Sequence, residues 1–196
     1  MKKFTLLFLF IVLIKAVSGQ QYLSLKHPPT REQAKQEGIN HQCVHRNKYS
    51  AIQRLNFYPF NKAAQIKLVS FNDSSAFENR IPLINDTVNY SQLIEIKTLT
   101  KTQRDKLTDI IYNIGDRAPN WFADAGASCY NPHNAILFVD KFGRTFAYIE
   151  ICFECSRYQL SSRKIRIGQF CEEKYSLVKN YFGTNGIKVG ITQNTH

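Results

Sequence analysis

No stretch of this chain holds the roughly 18 consecutive apolar residues that a membrane-spanning helix needs. There is no P-loop and no complete Rossmann fingerprint, so neither glycine-rich phosphate cradle is present. No internal repeat occurs, which excludes solenoids and propellers. Acidic residues are scarce: 15 Asp and Glu stand against 26 Lys and Arg, a formal net charge of +11. What is present suffices for one globular unit. The chain has 196 residues, 43% of them hydrophobic and 21% charged. That composition excludes a fibrous protein, a coiled coil and wholesale disorder.

The N-terminus reads as a secretory signal over residues 1–19. Lys2 and Lys3 form a positive start, and Phe4 to Ile14 is apolar apart from Thr5. Ala16-Val17-Ser18-Gly19 then supplies small residues for cleavage, so the mature chain is expected to begin at Gly19 or Gln20. No cysteine sits at that point to carry a lipid. The expected location is periplasmic or secreted, where disulfides persist. The five cysteines are Cys43, Cys129, Cys152, Cys155 and Cys171, and an odd number leaves one thiol free or bridged to another chain. Three Asn-x-Ser/Thr triplets, at Asn72, Asn85 and Asn89, would accept glycans only in a eukaryotic secretory path; the Met-Lys-Lys start looks bacterial.

Beyond the signal, the pattern predicts a lead-in with short helices over 20–64, one α+β domain over 65–190, and a tail over 191–196. Thr30-x-x-Gln33 and Thr100-x-x-Gln103 are capping boxes. Gly38 is expected to stop the first helix and Gly115 the second. A brief helix around Ala51, Ile52 and Leu55 must end before Pro59. Leu107, Ile110, Ile111 and Ile114 form the stripe of a helix packed on one face. Gln65–Phe71, Leu93–Leu99, Ala135–Asp140 and Thr145–Phe153 read as strands. The last two join at Lys141-Phe142-Gly143-Arg144, a hairpin turn. Residues 156–162 read as loop and 163–167 as a short strand. Residues 169–182 read as a final helix stopped by Gly183, with Cys171, Tyr175, Val178 and Phe182 on one face. That places Cys171 as a buried, unpaired thiol. The fold class is α+β: a small antiparallel sheet with a central hairpin and helices on one face.

Several segments occur in a specific order. They are Lys97-Thr98-Leu99-Thr100, Leu107-Thr108-Asp109-Ile110-Ile111-Tyr112-Asn113, Cys129-Tyr130-Asn131-Pro132, Asn134-Ala135-Ile136-Leu137-Phe138 with Asp140, Tyr148-Ile149-Glu150-Ile151-Cys152-Phe153-Glu154-Cys155, and Phe170-Cys171. On these, the chain from Gln65 to about Gly190 resembles a group of exported bacterial proteins of unknown function. The resemblance implies export and one compact domain, with residues 1–64 a less typical lead-in. It implies no substrate, cofactor or catalytic residue.

Four groups of residues carry chemistry. Cys152-Phe153-Glu154-Cys155 could exchange a disulfide, but no helix start is placed at Cys152, and Glu150 and Glu154 disfavour a thiolate. Cys129, His133, Cys152 and Cys155 have ligand types suited to zinc, although export favours disulfides. His133 falls opposite Glu150 in a hairpin centred on Lys141–Phe142, a candidate acid/base pair. The same hairpin, with a bulge at Gly143, brings Cys129 opposite Cys155 and leaves Cys152 as its second choice of partner. Arg157, Arg163, Lys164 and Arg166 form a basic cluster around Ile165 and Ile167, suited to an anion, an acidic envelope component or an acidic protein. The signatures of nucleic-acid modules are absent. The expected function is an exported, non-enzymatic binding or structural module without a cofactor. The alternative is a thiol- or metal-dependent enzyme centred on Cys152 and Cys155.

Overall fold

A computed structural model describes residues 29–72, 80–118, 129–171 and 173–192. The expected signal segment, Trp121 and the end of the tail lie outside them. The elements run α1 (Arg31–His41), β1 (Cys43–His45), α2 (Ala51–Leu55), β2 (Gln65–Phe71), β3 (Leu83–Ile84), β4 (Thr87–Val88), β5 (Leu93–Thr98), α3 (Lys101–Asn113), β6 (Ile114–Asp116), β7 (Asn134–Val139), β8 (Thr145–Cys152), β9 (Arg157–Leu160) and α4 (Lys174–Thr184). The fold is α+β. Its centre is a five-stranded antiparallel sheet ordered β5-β2-β7-β8-β9.

The central strand β7 is buried at all six positions, because both faces of the sheet are covered. One face carries Ile66, Leu68, Ile136, Phe138, Ile149 and Ile151 against α3 and α4. The other carries Val69, Phe71, Ala135, Leu137 and Val139 against Ile81 and Val88. The helices therefore lie on one side, and the short β3–β4 hairpin lies on the other. The β7–β8 turn has Gly143 at φ 82°, which its place in the turn requires. The hairpin register sets Glu150 opposite Ala135, so His133 is not its cross-strand partner.

The first three helix starts follow the sequence. Thr30 and Thr100 both close capping boxes with Gln33 and Gln103, and Ser50 does the same with Gln53. Helix ends do not fall at the expected glycines. The first helix runs through Gly38 to His41. Helix α3 ends at Asn113, two residues before Gly115, and its chain enters β6 directly. The Asn113 carbonyl accepts from the Arg46 N–H. Helix α4 continues past Gly183 to Thr184.

Three other expectations are corrected. Residues 157–160 form the edge strand β9, reached through a turn in which Ser156 has φ 48°. Residues 163–167 are irregular, with only Ile165 buried among them. Helix α4 starts at Lys174, so Cys171 precedes it; Cys171 is bridged to Cys43 with Cα atoms 5.1 Å apart. It is buried, as expected, but not unpaired.

Residues 43–64 build into the same body. Strand β1 pairs with β6 in the register Cys43↔Asp116. Helix α2 sits on α3 through Arg54, whose Nε donates to Thr108 Oγ1 at 3.2 Å and whose guanidinium pairs with Asp105. Phe60 meets Phe138 edge-on at 4.9 Å.

Candidate functional site

The cysteines sort into two bridges. Cys129 is linked to Cys155, with Cα atoms 5.8 Å apart, and Cys43 to Cys171. Cys152 is a buried free thiol. Two disulfides suit a chain that folds in an oxidising compartment. The Cys129–Cys155 bond consumes two of the four ligands in the zinc set. Among the described residues, no group of three or more His, Cys, Asp or Glu is placed to hold a metal ion.

His133 and Glu150 have separate surroundings. His133 Nε2 lies 3.2 Å from Asn131 Nδ2, and Nδ1 lies 3.4 Å from the Phe71 carbonyl oxygen. Glu150, 2% exposed, accepts from the Ile81 N–H and lies 3.7 Å from Arg80 Nη1. Burial raises its carboxyl above the ordinary range, with the Ile81 N–H and Arg80 pulling the other way.

The basic cluster divides as well. Arg157, Arg163 and Lys164 point into solvent, and Arg166, also exposed, stands on the rim of a cleft. That cleft, about 470 Å³, lies between the 46–57 segment, the end of α3 with β6, and residues 166–169. Arg46, Lys48 and Arg166 supply three exposed cations. Its apolar wall is aromatic: Phe57 packs on Tyr112 with ring centroids 4.8 Å apart and on Tyr49 at 5.0 Å. Among the described residues, the one carboxylate in the lining is Asp116, already bonded to His41 at 2.8 Å, so none of them neutralises the cations from within.

A buried lysine holds the floor. Lys174 Nζ donates to the carbonyl oxygens of Ile111 at 2.7 Å, Ile114 at 2.8 Å and Gln169 at 2.5 Å. Three acceptors match the three N–H bonds of an ammonium, and the Ile111 carbonyl is one that the end of α3 leaves unpaired. Burial lowers the Lys174 pKa to about 7, with the Asp116 carboxylate pulling upward. Gly168 is needed at this spot, since a Cβ there would lie 2.4 Å from the Ile111 carbonyl oxygen. The Cys43–Cys171 bridge and the bond from the Cys43 N–H to Glu173 at 2.9 Å tie β1 to the same segment. Arg46 is aimed by its own bonds to the carbonyls of Asp116 and Arg117, at 2.6 and 2.7 Å.

Of the cleft residues, sequence reading singled out only Arg166 as a ligand candidate. Arg46-Asn47-Lys48-Tyr49 is a basic run ending in an aromatic. Lys174 stands at helical spacing from Val178, Tyr181 and Phe182, so a cation occupies a position on an apolar face. Both signals were present. What they lacked was the tertiary contact joining segments more than a hundred residues apart. Comparisons of this chain with protein-family models, curated proteins and solved structures find no match.

Proposed function

We propose that this protein is an exported, non-enzymatic binding module whose cleft takes an anion carrying a flat or ring-shaped group. One observation carries the reading: three exposed cations, Arg46, Lys48 and Arg166, which no carboxylate among the described residues pairs with, surround a cleft walled by Tyr49, Phe57 and Tyr112. Cations confer attraction for a negative group, and arginine offers a planar fork for carboxylate or phosphate. Aromatic faces favour stacking. Among the described residues, no nucleophile with an adjacent base lines the cleft, which favours binding over turnover. The charged-chain composition and two disulfides support export, with an acidic envelope component or protein as the class of partner.

The test uses phenyl phosphate and inorganic phosphate as probes, followed by thermal shift. Phenyl phosphate should raise the midpoint more than phosphate does, and added salt should weaken both effects. The double variant K48E/R166E, at two exposed positions, should lose both responses and keep its own midpoint. Equal stabilisation of the variant, or none of the parent by either anion, overturns the reading.

A further inference from the structure

Two cysteines stand in the turn from β8 to β9, and a third is bridged to it. Cys155 carries the bridge to Cys129, and Cys152 is a free thiol, 1% exposed. The Cys155 N–H donates to Cys152 Sγ over 3.2 Å. This folds the turn back so that the free thiol sits against the residue whose sulfur is already bridged. A thiol so enclosed meets no outside reagent and needs a proton acceptor within the fold before it can act as a nucleophile. A carboxylate lies on the same strand face. Glu150 is two residues back along β8, hence on the same side, and it is almost fully buried. Tyr130, next to Cys129, feels the charge of both Glu150 and Cys152, so the three groups share one neighbourhood. Arg80 is the cation facing it.

We propose that Cys152, with Glu150 as proton acceptor, attacks the Cys129–Cys155 bridge from within, making this a site of internal thiol–disulfide exchange. The Cys152 proton passes to the Glu150 carboxylate, which becomes a carboxylic acid. The thiolate forms a bond to Cys155 Sγ, and the Cys155–Cys129 bond breaks. Cys129 leaves with the electron pair as a thiolate. One disulfide is lost and one is made, so no oxidant or reductant is consumed. The two isomers differ at the surface. Cys155 and Cys152 are buried, but Cys129 is exposed. Exchange therefore converts a buried inert thiol into a surface thiolate able to form a mixed disulfide with an external disulfide. This inference does not depend on what the cleft binds.

The experiment traps Cys129 in the native protein with iodoacetamide and maps the bridges without reduction. The expected product carries the label on Cys129 and a Cys152–Cys155 bridge. In E150Q the labelling rate should fall on the order of 100-fold, the lower end of what a positioned proton acceptor contributes. The variant C129S should fold with a Cys152–Cys155 bridge, which tests whether that bond fits the fold independently of any rate. No label on the native protein, label on Cys152 with Cys129–Cys155 intact, or two free thiols in oxidised C129S would each overturn the proposal. An unchanged rate in E150Q would overturn the role of Glu150.

Discussion

Lys174 shows how one side chain can organise a site it does not line. It closes three carbonyls at the end of α3, in β6 and in the 168–170 segment. Replacing it with methionine keeps much of the volume and leaves those carbonyls without their donor. K174M should cost about 2 kcal/mol or more in urea unfolding, the range for buried acceptors left unpaired. Its pH dependence has a definite sign. The folded pKa is about 7 against an ordinary 10.5. Between those values the unfolded chain holds a proton that the folded protein has released. Stability contributed by this group is thus lowest below pH 7, grows as pH rises and is fully present above 10.5. The stability difference between parent and K174M should widen in the parent's favour from pH 7 to 9. A difference that stays flat over that range would show that Lys174 titrates elsewhere.

At the scale of elements, the β1–β6 pair and α2 are held to the domain by side chains rather than by the central sheet. The Cys43–Cys171 bridge spans 128 residues of sequence, and the chain-entropy estimate for so long a loop is about 4 to 5 kcal/mol. C171A should therefore lose on the order of 4 kcal/mol and one disulfide, where an isolated buried thiol would lose only packing. Non-reducing peptide mapping alongside denaturation reads both. Gly168 makes the complementary case. Its missing side chain lets the 166–169 segment approach the last turn of α3, and G168A places a methyl against backbone that cannot swing aside. G168A should destabilise by about 2 kcal/mol, within the range for overpacking, and weaken phenyl phosphate binding through the displaced Arg166. Unchanged binding in a folded G168A protein would separate the segment from the cleft.

Across the whole molecule, what was legible in the sequence is what local chemistry decides. Thr30 and Thr100 cap because a short hydroxyl followed three residues later by glutamine satisfies the first free N–H groups of a helix. Strands β2, β5, β7 and β8 show in their apolar patterns, and the Cys129–Cys155 link in the closeness of a hairpin. Strand β9 did not show, since Arg157-Tyr158-Gln159-Leu160 is short, polar and half-exposed at a sheet edge. The stops at Gly38 and Gly115 failed because Gly38 remains in the helix and α3 runs straight into a strand. The cleft was illegible for a related reason. Its cations, its aromatic wall and its floor come from segments near residues 46–57, 112–116 and 166–169, and no local pattern announces which distant pieces will meet.

The two bridges also have a topological consequence. From Cys43 to Cys171 the backbone and one sulfur–sulfur bond form a closed covalent ring, and the ring closed by Cys129 and Cys155 lies wholly inside it. A single cut between residues 44 and 170 opens a ring without releasing a fragment. Surface segments such as the β3–β4 hairpin, with Leu83 and Ile84 exposed, are where a protease would act first. The nicked protein should run at full mass on a non-reducing gel and fall into two pieces once a reductant is added. In C171A the same nick should release its pieces without reductant. Closed in this way, the chain can lose a peptide bond and still hold its cleft.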